Sequence, residues 1–422
     1  MINFKPFKST YLFLFLLLNF QLISCAQKTK PIVKNTTETI AEKVAVLKTG
    51  AERTNLYLEL LKGKNIAIVA NQTSVLTVLQ RAEVAPNVMG SKKVTQHLVD
   101  YLHTYNGITI KKVFAPEHGF RGKADAGEIV KDGFDTKTGL PIVSLYGKNK
   151  KPSAAQLTGI DIVVFDIQDV GARFYTYISS LHYVMEACAE AGIKVIILDR
   201  PNPNGHYIDG PILEPAHKSF VGMHKVPVVY GMTIGEYGQM INGEKWLKNG
   251  MQCNLKVIPL ENYNHNTTYS LPIKPSPNLP NDKSINLYPS LCFFEGTNVS
   301  AGRGTEMQFQ IYGSPFLAKK EFSYTPQANE GAKYPKYKNK LCFGEDLRTA
   351  KKLDKLDLSY LIKAYKQNTS KEFFNNFFTK LAGTKKLQQQ IEQGVTEKEI
   401  RESWVKDLEK FKLMRNKYLI YK

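Results

Sequence analysis

Short apolar runs alternate with longer stretches of helical period over the first 250 residues or so of the chain. Four runs predict strands strongly and two more weakly: 65–70, 108–114, 161–165 and 194–198, then 141–145 and 226–230. Runs this continuously apolar are typical of parallel strands buried on both faces. Helices are predicted between them at 93–104, 177–191 and 234–249. The alternation predicts an α/β fold with a Rossmann-like, doubly wound parallel sheet.

The alternation of strands and helices ends near residue 250, and the composition changes. A strand is predicted at 255–260, a Pro- and Asn-rich stretch follows at 270–289, and residues 350–422 are Lys-rich and mostly helical, with a strand-like end at 418–421. We therefore expect a Rossmann-like catalytic domain at 45–248 and a smaller C-terminal α/β domain at 249–422. No GxGxxG follows the first strand and no Walker sequence occurs, so neither a nucleotide nor another cofactor is predicted.

The N-terminus has the pattern of a bacterial lipoprotein leader. Lys5 and Lys8 precede the apolar run 11–18, which is too short to span a membrane, and residues 22–25 (LISC) resemble a lipobox. We expect a signal peptide at 1–24, lipidation of Cys25 and a polar tether at 25–44. The protein would then be anchored in the bacterial cell envelope, in the periplasm or at the outer membrane. The alternative is an ordinary signal peptide with an incidental cysteine.

The net charge is strongly positive. Lys and Arg number 57 against 38 Asp and Glu, a formal charge of +19, and removing the leader leaves 55 against 38, or +17. An exported lipoprotein has little occasion to meet nucleic acid, so the excess predicts a solvated basic surface. No metal site is predicted, because no HExxH or paired-His spacing occurs. The cysteines after Cys25 form no CxxC pair, and no disulfide is predicted.

Polar side chains follow each of the four strong strands. Ligands of open α/β sheets bind outside the carboxyl ends of the strands, so this convergence predicts a site. The candidates, in strand order, are Asn71; Glu117, His118 and Arg121; Asp166, Gln168, Asp169 and Arg173; and Asp199, Arg200 and Asn202.

Glu117 is the main catalytic candidate. It follows a strand, is preceded by Pro116, and lies close to Gly119 and Gly122, which permit close approach of a ligand. A carboxyl group in such a cleft can serve as a general acid. The alternative is a structural ion pair with Arg121.

Three aspartates directly follow strands, and each has several possible roles. Asp166, Asp169 and Asp199 could support catalysis, bind hydroxyl groups, hold a metal or cap the next helix. Arg121, Arg173, Arg200 and Arg303 are candidate anion binders, with pairing to neighbouring acids as the alternative. The Gly-rich block at 295–306 is expected to close over the same cleft, unless it is only a structural loop. No GxSxG occurs and Ser153 and Ser276 lack an SxxK context, so an esterase or β-lactamase-like enzyme is poorly supported.

Five segments together resemble the NamZ-type exo-β-N-acetylmuramidases, a bacterial glycoside hydrolase family formerly described as a domain of unknown function. They are FAPEHGFRG (114–122), DIVVFDIQDVGARFYTYIS (161–179), LDRPNPNG (198–205), SPNLP (276–280) and YPSLCFFEGTNVSAGRGTE (288–306). The similarity covers residues 45–422. It implies hydrolysis that releases N-acetylmuramic acid from the non-reducing end of peptidoglycan-derived glycans. It also implies a Rossmann-like N-terminal domain, a C-terminal domain that completes the cleft, and a catalytic glutamate at Glu117.

The resemblance also suggests roles for the other candidates. Muramic acid carries a lactyl carboxylate, so a pocket that binds it is expected to contain arginine. Asp166, Asp169, Glu295 and Glu306 are candidates for a second carboxylate, unless the acetamido group of the substrate attacks instead. The predicted catalytic residues are Glu117, Asp166 and Asp169, and the predicted substrate-binding residues are Asn71, His118, Arg121, Gln168, Arg173, Arg200, Asn202, Asn278, Glu295, Arg303 and Glu306. The alternative function is a lipid-anchored two-domain solute-binding protein without turnover.

Overall fold

The computed structural model describes residues 45–85, 88–122 and 131–421, and residues 45–422 form one compact unit. The leader, Cys25 and the tether lie outside the described residues. The strands are β1 Asn65–Ala70, β2 Val75–Ala85, β3 Val88–His97, β4 Thr109–Ala115, β5 Gly133–Phe134, β6 Pro141–Ser144, β7 Ile162–Asp166, β8 Lys194–Leu198, β9 Leu255–Ile258, β10 Ile311–Ser314, β11 Ser323–Tyr324 and β12 Cys342–Asp346. The helices are α1 Leu58–Leu61, α2 Leu98–His103, α3 Ala154–Leu157, α4 Tyr177–Ala191, α5 Ile234–Gly243, α6 Asp282–Leu291, α7 Ser359–Gln367, α8 Phe378–Ala382, α9 Lys386–Glu392, α10 Glu397–Glu402 and α11 Val405–Arg415.

The main sheet has seven strands in the order β5-β6-β4-β1-β7-β8-β9. Neighbouring strands are parallel except for the edge strand β5, which is antiparallel to β6. From β1 the chain builds outward through β4 and β6, then returns to the other side of β1 with β7, β8 and β9. The strand order therefore reverses between β1 and β7, and in open α/β sheets ligands bind at such a reversal, outside the carboxyl ends of the strands.

Both faces of this sheet are covered, which explains the apolar runs. Alternate residues of a strand point to opposite faces. On β7, Val163 and Phe165 pack into one core with α4 and α5, whereas Ile162 and Val164 pack into another with α1 and α2. The prediction of an α/β fold with a mostly parallel sheet is confirmed.

Local sequence signals determine where α4 begins and ends, and this helix begins next to the candidate site. It begins at Tyr177 and ends at Ala191, as the helical spacing of apolar residues predicted. Gly192 terminates it in the left-handed conformation, with φ of 67°, and its N–H donates to the carbonyls of Cys188 and Ala189. The N-cap, Thr176, lies at the carboxyl edge of the sheet.

The C-terminal region contains a three-stranded antiparallel sheet, β10-β12-β11, and helices α7 to α11. β9, at Leu255–Ile258, pairs in parallel with β8, so the main sheet continues past the predicted boundary at residue 248. The boundary itself remains a prediction. Tyr421 returns to the main sheet, where its hydroxyl donates to Asp199 Oδ2 at 2.6 Å and accepts from the Leu260 N–H at 2.8 Å.

Four predicted elements differ from the structure. The helix predicted at 234–249 ends at Gly243, as α5. The stretch predicted as helix 93–104 forms the end of β3, which pairs with β2 in a long hairpin, and only α2 is helical. The helix begins after His97 because the His97 side chain accepts from the Val99 N–H and caps the first turn. Residues 226–230 make isolated bridges at Val229, and 418–421 contain no strand.

Cys188, Cys253, Cys292 and Cys342 are buried free thiols. Among the described residues, no helix combines the length and the apolar character needed to cross a membrane.

Candidate active site

A cavity of about 400 Å³ opens where the loops after β4, β6 and β7 meet segments from the C-terminal region. Aromatic rings form much of its wall, with Tyr288 in edge-on contact with Phe174, Tyr175 and Phe309. Apolar walls with a few convergent polar groups are the usual composition of a small-molecule site. The polar lining residues are Glu117, His118, Tyr146, Thr176, Ser276, Asn278, Glu295, Ser300, Arg303 and Lys336.

Glu117 lies in a tight turn directly after β4. The turn closes with a hydrogen bond from the Gly119 N–H to the Pro116 carbonyl, and both His118 and Gly119 have φ above 70°. Glu117 Oε1 accepts from the Tyr146 hydroxyl at 3.0 Å, and Oε2 accepts from the Thr176 hydroxyl at 2.7 Å. Because Thr176 caps α4, the carboxylate also lies near the positive end of that helix dipole. The turn therefore presents a half-buried carboxyl to the cavity in one orientation.

The backbone of Glu117 is held from behind. The Tyr177 hydroxyl donates to the Glu117 carbonyl at 3.3 Å and accepts from Asn71 Nδ2 at 2.8 Å. Asn71 is fully buried and its Oδ1 accepts from Thr73. Asn71, predicted to bind substrate, thus acts on Glu117 through Tyr177.

The hydroxyl of Tyr146 stays protonated beside the carboxylate. Burial, reinforced by the charge of Glu117, raises the pKa of Tyr146 well above its usual value. The phenol is therefore a fixed hydrogen-bond donor to Glu117.

A cationic group forms another part of the lining. Arg303 Nη2 lies 2.6 Å from Glu295 Oε1, and the Arg303 guanidinium packs over the Phe309 ring. Lys336 Nζ donates to the carbonyls of three residues in the 294–299 segment at 2.6 to 3.2 Å. Burial lowers the pKa of Lys336 to about 8. When Arg303 and Lys336 are both protonated, the group formed by these two residues and Glu295 has a net charge of +1.

Lys336 was missed by sequence reasoning. It lies in a stretch made of Lys, Tyr and Pro (333–338) that is indistinguishable by sequence from an exposed basic loop. Only the fold, which packs this stretch against the 294–299 segment, distinguishes it.

Asp166 and Arg200, predicted as catalytic and substrate-binding residues, form a buried pair behind the cavity. Arg200 Nε and Nη2 donate to Asp166 Oδ1 and Oδ2 at 2.6 and 2.9 Å. Asp166 is fully buried, and neither residue belongs to the cavity lining. The pair joins β7 to the loop after β8.

Asp169 and Gln168 lie below the cavity wall. Asp169 Oδ2 accepts from the Gly171 N–H at 2.7 Å and from the Tyr230 hydroxyl, and burial raises the pKa of Asp169 to about 7. Gln168 Nε2 donates to the carbonyls of Asp169 and Pro201, both at 2.7 Å. Both residues fasten the loop after β7.

Besides Arg200, two more of the predicted anion-binding arginines are engaged elsewhere. Arg121 bridges Asp100 and Asp135, at 3.0 and 2.7 Å, and does not pair with Glu117. Arg173 is fully buried and has no carboxylate partner in the described part of the chain. Its guanidinium donates to four backbone carbonyls, those of Pro211, Val226, Leu381 and Ala382, at 2.7 to 2.9 Å.

The remaining candidates divide between the loop scaffold and two cavities. Asn202 Nδ2 donates to the Met232 carbonyl and its Oδ1 accepts from the Asn204 N–H, so it shapes the loop after β8. Asp199 accepts from Thr233, Gly235 and Tyr421. His118, Asn278, Glu295 and Arg303 line the cavity with Glu117, whereas Glu306 lines a neighbouring cavity.

No group of three or more His, Cys, Asp or Glu that could hold a metal is found in the described ranges.

Comparisons with known proteins match almost the whole compact unit. Family models described as "Exo-beta-N-acetylmuramidase NamZ", N-terminal and C-terminal, match residues 66–283 and 286–421. A curated relative, "Peptidoglycan beta-N-acetylmuramidase NamZ" of Bacillus subtilis strain 168, is 38% identical over 388 residues, covering 86% of this chain and 89% of the relative.

Two crystal structures of DUF1343 family proteins from Bacteroides fragilis NCTC 9343 are also similar. One is 45% identical with a TM-score of 0.78, covering 90% of this chain and 99% of the other. The second is 27% identical with a TM-score of 0.72, covering 89% and 99%. Glu117 lies within the first matched region, and Arg303 and Lys336 lie within the second.

Proposed function

The chain belongs to the NamZ exo-β-N-acetylmuramidase family of glycoside hydrolases, and we propose that it releases N-acetylmuramic acid from the non-reducing end of peptidoglycan-derived glycans. The observation that carries this proposal is Glu117, a carboxyl group that accepts hydrogen bonds from the hydroxyls of Tyr146 and Thr176 in a cavity that Arg303 and Lys336 also line. The order of the six parallel strands supports a Rossmann-like, doubly wound sheet as the scaffold.

Glu117 is the general acid in this proposal. Its protonated carboxyl donates to the glycosidic oxygen as the bond to the leaving sugar breaks, and the carboxylate then takes a proton from water. Tyr146 and Thr176 fix both oxygens, so the carboxyl is oriented before substrate arrives.

The second group in the reaction is constrained by the cavity lining. Of the candidate carboxylates Asp166, Asp169, Glu295 and Glu306, Glu295 lines the cavity with Glu117. Glu295 is paired with Arg303, which favours a role in orienting the substrate. We therefore favour attack by the acetamido group of the substrate, or by water, over attack by Glu295.

Arg303 is proposed to bind the lactyl carboxylate of the muramic acid, and Lys336, whose three N–H groups donate to backbone carbonyls, to add positive charge beside it. Arg matches a carboxylate with two donors, and a second cation nearby stabilises an anion further. Arg121, Arg173 and Arg200 are committed to other partners and support the scaffold instead.

The test compares the parent protein with Glu117→Gln on the disaccharide of N-acetylmuramic acid linked to N-acetylglucosamine. Loss of general acid catalysis is expected to lower kcat by roughly 10² to 10⁴. KM and the thermal unfolding midpoint should change little, because glutamine keeps the shape and an acceptor oxygen. Glu321→Gln, at an exposed position, is the matched control. Unchanged turnover in Glu117→Gln would remove the assignment, and saturable binding without turnover by the parent would favour the solute-binding alternative.

We further propose that the protein is a lipoprotein of the bacterial cell envelope, anchored through Cys25. The support is the sequence alone: a basic start, an apolar run and the LISC segment. Detergent phase partition of the expressed protein should place the parent in the detergent phase and Cys25→Ala in the aqueous phase. Recovery of the parent in the aqueous phase would contradict the anchor.

A further inference from the structure

The β2–β3 hairpin has no role in the proposed chemistry. Among the described residues it forms a two-stranded sheet of its own, joined to the body at its base, where Leu76 is buried and Val78 packs on the core. Beyond Val78 both faces of β2 are exposed, because Leu79 and Gln80 point to opposite faces and are each exposed. A two-stranded ribbon by itself is only marginally stable in water, so contact with a second surface would stabilise this one.

One face of the hairpin combines apolar and basic side chains. Leu79 pairs with Lys93 across the two strands, so both lie on this face. Arg81 and Met89 lie an even number of positions further along the same strands and share it. Leu79 is 70% and Met89 67% exposed, and both basic residues are exposed as well. The outer face of the hairpin is defined here by these four residues.

The composition of the outer face is typical of contact with an anionic bilayer. Residues 75–97 contain three basic residues, Arg81, Lys92 and Lys93, against one acidic residue. At a bilayer surface, apolar side chains enter between the headgroups while long basic side chains reach the phosphates. A folded protein partner would instead meet a contiguous apolar patch, whereas Leu79 and Met89 are two cross-strand rows, or about 14 Å, apart with Arg81 between them.

The base of the hairpin lies near the start of the described chain. The Thr77 N–H donates to Glu52 Oε1 at 3.2 Å, and Glu52 comes seven residues after Ala45. Residues 25–44 would connect this start to the lipid proposed at Cys25, and a chain of that length spans at most roughly 70 Å. A weak contact between the hairpin and the same bilayer then becomes intramolecular, with an effective concentration in about the millimolar range.

We propose that the outer face of the hairpin docks on the anionic surface of the bilayer that holds the lipid anchor. This inference rests on the proposed anchor and deepens it. The hairpin leaves the body at the carboxyl edge of the main sheet, since β2 begins directly after the loop that follows β1. At its other end, the His97 ring contacts Phe120, in the loop that holds Glu117, with ring centroids 5.0 Å apart. Docking would therefore fix the distance and orientation of the cavity relative to the bilayer.

The experiment places a polarity-sensitive fluorophore on the hairpin of the mature, full chain. Met89→Cys carries the dye, and Leu413→Cys, at a 71% exposed position of α11, is the matched control. The native cysteines of the described chain are buried, so the dye reacts with the introduced thiol. With vesicles of phosphatidylglycerol and phosphatidylcholine, the emission at position 89 should shift to the blue and strengthen severalfold, and the emission at 413 should not change. Vesicles of phosphatidylcholine alone should give a much smaller response at position 89.

The contribution of charge is tested by combining Arg81→Gln and Lys93→Gln with Met89→Cys. One basic residue beside an anionic surface strengthens binding about fivefold, so removing two should weaken docking roughly thirtyfold and abolish most of the response. Lys406→Gln with Lys410→Gln, at exposed positions of α11, removes the same charge elsewhere and should leave the response intact.

Each result is decisive. Equal responses at positions 89 and 413, or none at either, contradict docking of the hairpin. A response at position 89 that grows with protein concentration in the absence of vesicles assigns the outer face to a second copy of the chain, and a response to purified peptidoglycan but not to vesicles assigns it to the wall polymer; either overturns the proposal. Detergent phase partition separates docking from the anchor. A response at position 89 in protein recovered from the aqueous phase contradicts the anchor alone, whereas no response in protein recovered from the detergent phase contradicts docking alone.

Discussion

The buried guanidinium of Arg173 can be tested for two different roles, binding of the substrate and stabilisation of the fold. The sequence suggested that Arg173 binds an anion, whereas the structure has it donating to four backbone carbonyls. Two of these, Leu381 and Ala382, are the last carbonyls of α8, so Arg173 caps a helix of the C-terminal region from the loop after β7. Replacing it with methionine removes every donor while keeping an unbranched side chain.

The expected cost follows from the carbonyls that lose their donor. Val226 O keeps a second donor, the Leu213 N–H, whereas no other donor reaches the carbonyls of Pro211, Leu381 and Ala382 within the described ranges. An unsatisfied buried acceptor costs about 1–3 kcal/mol, so three cost roughly 3–9 kcal/mol. Methionine avoids the desolvation of a buried charge, which offsets part of this sum. We expect Arg173→Met to lower the free energy of unfolding by about 3–5 kcal/mol.

Urea unfolding at neutral pH measures the stability, and KM for the disaccharide of N-acetylmuramic acid and N-acetylglucosamine measures binding. Arg348→Met is the matched control, because Arg348 is exposed, pairs with Asp346 at the surface and should leave the free energy of unfolding almost unchanged when replaced. For Arg173→Met we expect a large stability loss and, in protein that remains folded, a KM within about threefold of the parent. An unchanged free energy of unfolding with a tenfold higher KM would refute the structural role and restore Arg173 as a substrate-binding residue.

Three further predictions concern the site and its supports. Tyr146→Phe removes the Tyr146 hydroxyl that donates to Glu117 Oε1 and should lower kcat about tenfold with little change in the thermal midpoint; an unchanged kcat in steady-state kinetics would contradict this prediction. Burial lowers the pKa of His97 to about 4, so the unfolded chain binds a proton below pH 6.5 that the folded chain does not, and stability should fall by about 2 kcal/mol from this group between pH 7 and 5. His97→Gln should remove that part of the pH dependence in denaturant titrations, and an unchanged slope would argue against it. Gly171→Ala should destabilise by more than about 2 kcal/mol in the same titrations, because φ is +76° and the new Cβ would lie within 2.7 Å of the Asn202 amide; a neutral effect would show that this loop yields easily.

Buried strands were the most predictable part of the fold. β1 and β8 match the predicted bounds because both faces of the sheet are covered and every position after the first is apolar. The β2–β3 hairpin was not predicted, since its many polar positions read equally well as an exposed helix face. The predicted strand at 418–421 instead forms side-chain contacts to the sheet edge, which no local pattern encodes.

The candidate site was predictable as a location and only partly as a set of contacts. Glu117, His118, Asn278, Glu295 and Arg303 do line one cavity, because strand ends and turn glycines mark the carboxyl edge of a sheet. Which charged residues pair with each other depends on segments far apart in the chain. Sequence spacing could therefore not separate the arginines that line the cavity from those that hold its walls.

The contact between Tyr421 and Asp199 bears on how the molecule reaches its final state. Two buried groups near the edge of the main sheet, the Asp199 carboxylate and the Leu260 N–H, obtain a partner from a residue 222 and 161 positions later in the chain. During synthesis, a chain that has emerged only as far as residue 415 would lack these contacts at the sheet edge, even if its first strands had already paired. Contacts of such long range slow folding and prolong exposure of apolar surface. The end of the described chain, around Tyr421, thus completes the edge of the main sheet late in folding. Removing it should lower the yield of folded protein more than it lowers the activity of the protein that does fold.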